Sequence, residues 1–209
     1  MIKILIADDH TIIRQGIKQI LLEFHDIREV EEASNGAEVM QKITHNEYDV
    51  ILLDISMPGR DGIEILKEVK SIHPKAAILI LSMHPEEQYA LRAFRAGASG
   101  YLTKKSSSNE IINAIRMVAQ GRKYISPTLA EKLAFELEEG RGQPSHESLS
   151  DREYQVMCMI ASGKTVSEIA GELGLSVQTI STYRGRILSK MHMKNNAEIT
   201  HYAIKKGLV

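Results

Sequence analysis

The chain has 209 residues, 43% of them hydrophobic and 25% charged, and its 26 Lys+Arg against 27 Asp+Glu leave a formal charge of −1. That balance suits a folded chain with one large core or two modest ones, and it excludes disorder, collagen-like repeats and acidic tails. A single cysteine, Cys158, excludes a disulfide framework or thiolate zinc cluster, and no apolar run approaches the ~18 residues of a membrane span.

Met1-Ile2-Lys3-Ile4 enters a strand pattern without a charged leader or cleavage site, so the expected address is the cytoplasm, with no membrane partner. Through residue 121, apolar runs of strand length fall at Ile2–Ala7, Val30–Ala33, Val50–Asp54, Ala77–Ser82 and Gly100–Thr103. Between them, Ile12–Phe24, Ala37–Ile43, Ile63–Ile72, Gln88–Ala96 and Glu110–Ala119 carry apolar residues three and four apart, as amphipathic helices do. Four of the strands have little polar interruption, which suits a parallel sheet covered on both faces. Five β-α units predict a doubly wound α/β domain with a five-stranded parallel sheet over residues 1–121.

Residues 122–147 break the pattern. Leu129, Leu133 and Leu137 recur every four residues and predict a short helix, while Glu-Glu-Gly-Arg-Gly-Gln-Pro-Ser (138–145) reads as a flexible tether. Residues 148–209 predict an all-α, four-helix domain. Ser150 and Glu153 form a capping box ahead of the first helix, which Gly163 ends. A second helix covers Val166–Leu173, Gly174 turns the chain, Ser176 caps a third running to about Met191, and the last covers about Ala197–Lys206. By segment the charge is −3 over 1–121, −1 over 122–147 and +3 over 148–209. A mildly basic tail on an acidic body hints at nucleic acid.

Open parallel sheets carry their functional groups at the carboxyl ends of the strands. Asp8 and Asp9 end the first strand, Asp54 the third and Ser82 the fourth, and Lys104 follows the fifth. Clustered carboxylates repel unless a cation neutralises them, and oxygen donors of this kind suit Mg²⁺. With that charge shielded, one carboxylate could attack phosphorus while Mg²⁺ and Lys104 stabilise the equatorial oxygens.

ILIADDH (4–10), VILLDISMPGRDG (50–62), ILILSMH (78–84) and SGYLTKK (99–105) resemble the receiver domain of bacterial two-component response regulators, a flavodoxin-like fold. The resemblance implies that Asp54 is the phosphoacceptor. It implies that Asp9, Asp54 and the Ser56 carbonyl hold Mg²⁺, with Asp8 reaching it through water. Ser82 and Lys104 would contact the phosphoryl group, and Tyr101 would be the aromatic that changes rotamer when Ser82 is drawn inward. Pro58 and Gly59 resemble the loop after the acceptor. Met83 departs from the small residue common there, and His84 beside it could contact attacking water; either can alter the phosphorylated lifetime. The other histidines (10, 25, 45, 73, 146, 192 and 201) lack a repeated ligand spacing and read as turn or solvated residues, and Cys158 reads as a small core residue.

Ala170, Gly174 and Ile180 stand at helix-turn-helix spacing, which a plain helical bundle can share. In the helix from Ser176, Val177, Ile180, Arg184, Ile187 and Met191 fall on one side at about 100° per residue. Gln178, Ser181, Thr182, Gly185 and Ser189 fall on the other, a short, uncharged polar face suited to base edges in a major groove. Arg186 and Lys190 flank it where phosphates would lie. The string LSDREYQVMCMIASGKTVSEIAGELGLSVQTISTYRGRILSKM (149–191) resembles the LuxR-type DNA-binding domain, so the chain is similar to response regulators of the NarL/FixJ family. That likeness implies base contacts at Ser181, Thr182 and Gly185, backbone contacts at Thr179, Arg186 and Lys190, and a last helix that supports dimerisation. The implied partners are double-stranded DNA with paired half-sites, a sensor histidine kinase and, when phosphorylated, a second copy of the chain. RNA polymerase is left open as a further partner.

Two rivals are open at this level. A Mg²⁺-dependent phosphohydrolase working through an aspartyl-phosphate would place an acid/base Asp two residues after its nucleophile, where this chain has Ser56. The expectation is therefore no turnover of external substrates. The other rival, a regulator that binds DNA without phosphorylation, sits poorly with an intact pocket.

Overall fold

The computed structural model describes residues 1–58, 60–127, 129–131 and 146–209, which form two compact units, Met1–Leu133 and Ala134–Val209. In the first unit, β1 (Ile2–Ala7), β2 (Ile27–Ala33), β3 (Val50–Leu53), β4 (Ala77–Ser82) and β5 (Gly100–Thr103) form one sheet in the order β2-β1-β3-β4-β5. Every pairing is parallel. β3 and β4 are buried along their whole length, as their unbroken apolar runs require. α1 (Thr11–Leu22), α2 (Gly36–His45), α3 (Gly62–Ile72), α4 (Glu86–Arg95) and α5 (Ser108–Ala119) connect them. Ile17 and Leu21 of α1 and Ile111 and Ile115 of α5 share one cluster with Ile4, Leu52 and Leu79 of the sheet. Asn35, Asp61 and Ser107 cap α2, α3 and α5 by accepting from Glu38 N, Ile63 N and Glu110 N.

Helix ends shift by up to two residues from the sequence expectation, and the largest difference is in a strand. β2 begins at Ile27 rather than Val30, because its polar first half, Ile27–Glu29, lies on an edge strand paired only with β1. An edge strand needs no continuous apolar run. Its glutamates are taken up by neighbouring cations: Glu31 pairs with Lys3 and Lys42, and Glu32 with Arg14 and Lys18. Of the helix expected from Leu129, Leu133 and Leu137, Leu129 is described and buried; Leu133, Leu137, the 138–145 tether and Gly59 lie outside the described residues.

The second unit holds a 3₁₀ turn (His146–Ser148), α6 (Asp151–Ala161), α7 (Val166–Leu173), α8 (Val177–Lys190) and α9 (Asn196–Lys205). Each helix start is fixed locally. Capping boxes close α6 at Ser150/Glu153 and α7 at Thr165/Glu168, while Ser176 and Asn195 cap α8 and α9. Gly174 ends α7 at φ +64°, a left-handed conformation that favours glycine, and so sets the turn into α8. α6 is buried on most faces and packs on α8 and α9. Among the described residues no helix is long and apolar enough to cross a membrane.

Candidate functional site

In this strand order the chain reverses direction of travel beside β1 and β3, and the crevice lies at their carboxyl ends. The register brings the expected groups together there. Ala7 pairs with both Ala33 and Leu53, so the next residues, Asp8 and Asp54, leave adjacent strands side by side. Asp54 N donates to Ala7 O at 2.9 Å and Asp8 N to Ala33 O at 3.1 Å. From the far side, Lys104 N donates to Ser82 O at 2.7 Å, joining the ends of β4 and β5.

Lys104 Nζ donates to Asp54 Oδ2 at 2.7 Å and stands 2.6 Å from Asp8 Oδ2, with the side chains of Asp54 and Lys104 only 1% and 2% exposed. Burial pushes the Asp54 carboxyl above the usual carboxylate range, although Lys104 and the Ser56 N–H pull it back. Burial also works to lower the Lys104 ammonium, but the Asp54 and Asp8 carboxylates outweigh it and hold the ammonium above its ordinary value. Ser56 N donates to Asp54 Oδ1 at 3.0 Å, which turns the acceptor loop inward. That turn depends on Gly62: a Cβ there would stand 2.3 Å from Ile55 Cα and 2.6 Å from Asp54 O.

The donor set fits a hard divalent cation. Asp8, Asp9 and Asp54 each bring a carboxylate oxygen, with His10, into a group whose ligand atoms lie within 4.8 Å of one another. Asp9 Oδ1 and Ser56 Oγ are buried yet make no hydrogen bond, so the pocket carries oxygen that Lys104 does not reach. His10, which by spacing reads as a turn residue, stands at this cluster. Its ring nitrogen Nδ1 stands 2.9 Å from Asp9 Oδ1, next to the expected ligands.

The hydroxyl-bearing loop is also built. Ser82 is fully buried, and its Oγ accepts from His84 N at 3.1 Å. Tyr101, 2% exposed, already lies inward and donates its hydroxyl to His84 O at 3.0 Å. The His84 ring packs against Tyr89 at 4.9 Å, whereas the Met83 side chain is exposed. The loop between β4 and α4 is thus tied to β5 through one tyrosine.

The outward face of α8 carries the other candidate residues. Gln178, Ser181, Thr182, Gly185 and Arg186 are exposed, and Thr179 is half-buried beside the Ser176 cap, whose Oγ accepts from Thr179 N. A shallow concavity is lined by Gln178, Thr179, Thr182, Tyr183 and Arg186. Tyr183 was not singled out from sequence, since it lies between the polar and apolar faces. Nothing lies within 4 Å of where a Gly185 Cβ would stand.

One detail of this helix differs from the helical-wheel expectation, and two add to it. Val177, placed on the inner side, is 51% exposed, because a residue in the first turn projects before the packed stripe of Ile180, Ile187 and Met191 begins. Arg184 donates to Asn196 Oδ1 at 2.6 Å and so fastens α8 to the start of α9. Lys190, read as a phosphate flank, donates to Glu153 Oε2 at 2.6 Å. The Glu153 side chain is 3% exposed and also accepts from Ser150 N.

Comparison with known proteins covers both units. Residues 4–116 match the family described as response regulator receiver domain, and residues 147–203 match the bacterial regulatory proteins of the luxR family. The chain is 38% identical to the response regulator UvrY of Escherichia coli K12 over 209 residues, spanning 100% of this chain and 96% of that one. It is 35% identical to the response regulator GacA of Pseudomonas protegens, spanning 100% and 98%. Among solved structures, RcsB of Salmonella enterica serovar Typhimurium bound to promoter rprA with the phosphomimetic BeF₃⁻ superposes with a TM-score of 0.67 at 25% identity, covering 96% of this chain and 97% of that one.

Proposed function

The chain belongs to the response regulators that join a receiver domain to a LuxR-type helix-turn-helix, transcription regulators of the NarL/FixJ family, and on that premise we propose that phosphorylation of Asp54 controls its grip on promoter DNA. The observation that carries this reading is the buried bridge of Lys104 between Asp54 and Asp8 at the carboxyl edge of the sheet. Asp54 Oδ attacks the phosphorus of a phosphohistidine on a sensor kinase, or of a small acyl phosphate, and the bond to the leaving group breaks. Lys104 turns from carboxylate to phosphoryl oxygens, and the Ser82 hydroxyl donates to another of them. Asp9, Asp54 and the Ser56 carbonyl would hold Mg²⁺, with Asp8 reaching it through water, and the ion would supply charge neutralisation for the incoming phosphoryl group. The only chemistry is the chain's own phosphorylation and its reversal.

Drawing Ser82 toward the phosphoryl group strains its bond from His84 N, and through His84 O it reaches Tyr101 and the α4–β5 surface. That surface then favours pairing with a second copy. A pair of α8 helices can engage two half-sites at once, and linkage multiplies the local concentration of the second. On DNA, Ser181, Thr182, Gly185 and Gln178 face base edges while Thr179 and Arg186 face phosphates. The absence of a membrane-spanning helix among the described residues accords with a cytoplasmic regulator.

The test compares the wild-type chain with Asp54→Asn after treatment with acetyl phosphate and Mg²⁺. Intact mass should rise by one phosphoryl group only in the wild type, with affinity for paired half-sites rising alongside. Full phosphorylation of the variant overturns the assignment.

A further inference from the structure

His10 N-caps α1 but makes no side-chain cap bond, so its imidazole does not serve the helix. Instead the ring faces the acidic cluster. Nδ1 stands 2.9 Å from Asp9 Oδ1 and 3.3 Å from Asp8 Oδ1, and the His10 backbone N–H donates to Asp8 Oδ1 at 2.8 Å, which anchors the residue to the cluster. The 2.9 Å approach is an ion-pair distance for a protonated ring, and it is also the spacing of two donors on neighbouring corners of one coordination sphere. Metal–donor bonds of about 2.1 Å at right angles place such atoms about 3 Å apart. At 57% exposed, the His10 side chain lies on the solvent side of the group, while Asp8 and Asp54 close it from within.

We propose that His10 Nδ1 is a ligand of this pocket, making it a mixed carboxylate–imidazole site whose preference is shifted from Mg²⁺ toward first-row transition-metal divalent ions. The inference rests on the divalent-cation reading of the same pocket and adds a nitrogen to it. Mg²⁺ is held by oxygen donors and water, so an imidazole gains it little. First-row transition ions accept imidazole readily, and each such ligand raises their standing against Mg²⁺ at equal concentration.

Mn²⁺ is the probe, because pulsed electron paramagnetic resonance reads its ligands directly. The full-length chain with substoichiometric Mn²⁺ should show electron-spin-echo modulation from a directly bound ¹⁴N. The modulation should vanish in His10→Gln and persist in His84→Gln. In direct titration, His10→Gln should lose part of the preference for Mn²⁺ over Mg²⁺. Mn²⁺ bound in the pocket without ¹⁴N modulation, or modulation that survives His10→Gln, overturns the role of His10 while leaving the pocket a cation site. Mn²⁺ binding that is undetectable, or unaltered in the Asp9→Asn/Asp54→Asn double variant, overturns the cation reading and this inference with it.

Discussion

At the carboxyl edge of the sheet, the side chains of Asp8, Asp54 and Lys104 are almost wholly withdrawn from water, whereas Gln178, Ser181, Thr182 and Arg186 of α8 stand in it. Both regions present polar groups on a regular scaffold, yet the physics differs. In the pocket each charge is set by the others: moving Lys104 alone leaves two carboxylates facing each other in a poor dielectric. On α8 the side chains are screened and nearly independent, so a change at one leaves the rest available. The contrast suits a switch to one region and a reader to the other. A coupled pocket responds as a unit to one phosphoryl group, while an uncoupled face reads positions separately.

The largest effects should therefore come from the pocket. Asp54→Asn should abolish phosphorylation and with it any gain in half-site binding, checked by intact mass and fluorescence anisotropy. Lys104→Ala, measured by urea unfolding without divalent cation, should cost about 3–5 kcal/mol, the usual penalty for stripping one partner from a buried ion pair. Added Mg²⁺ should restore part of that loss, and a loss unaffected by Mg²⁺ would show that the carboxylates are not electrostatically coupled. On α8 the effects should be smaller and separable. Thr182→Ala should change base preference at one position by about 1–3 kcal/mol without altering the salt slope, while Arg186→Ala should flatten that slope by about one unit on every sequence. Matching patterns would erase the division between face and flank.

The smallest effect is expected at Lys190. Its ammonium meets Glu153 at 2.6 Å, so Lys190→Ala should loosen α6 against α8, seen as faster amide exchange in both helices. Burial works to raise the Glu153 carboxyl, but Lys190 and Ser150 outweigh it and hold it below its usual value. A depressed carboxylate contributes stability that is complete above its unfolded pKa, about 4.3, and is lost as pH falls through the folded value. Acid should therefore open the α6–α8 contact, and Lys190→Ala should shift that opening to higher pH.

The strand and helix pattern was legible because period and run length are written in the residues themselves, and the pocket because strand ends in a parallel sheet share one edge. What escaped depended on side-chain direction. Lys190 flanks the polar stripe in a helical wheel, and its ammonium also meets a cap glutamate 37 positions earlier in the chain. Val177 has the composition of a core residue and the position of a first-turn one. His10 carried no ligand spacing of its own; it enters the cluster because β1 ends beside β3, a relation fixed by strand order and not by nearby sequence. The charged start of β2 lacked an apolar run because only one of its edges is paired.

The open space beside Gly185 bears on how such a regulator changes its targets over generations. Most substitutions that rewrite a binding surface draw down a narrow margin of stability, and lineages stall when that margin is gone. Here an added Cβ meets no neighbour within 4 Å, and replacing glycine by alanine within a helix raises stability by up to about 1 kcal/mol. A single codon change at this position can therefore give the outward face of α8 a new functional group while adding to the reserve that later mutations consume. Divergence among duplicated copies of such a gene has an unobstructed first step.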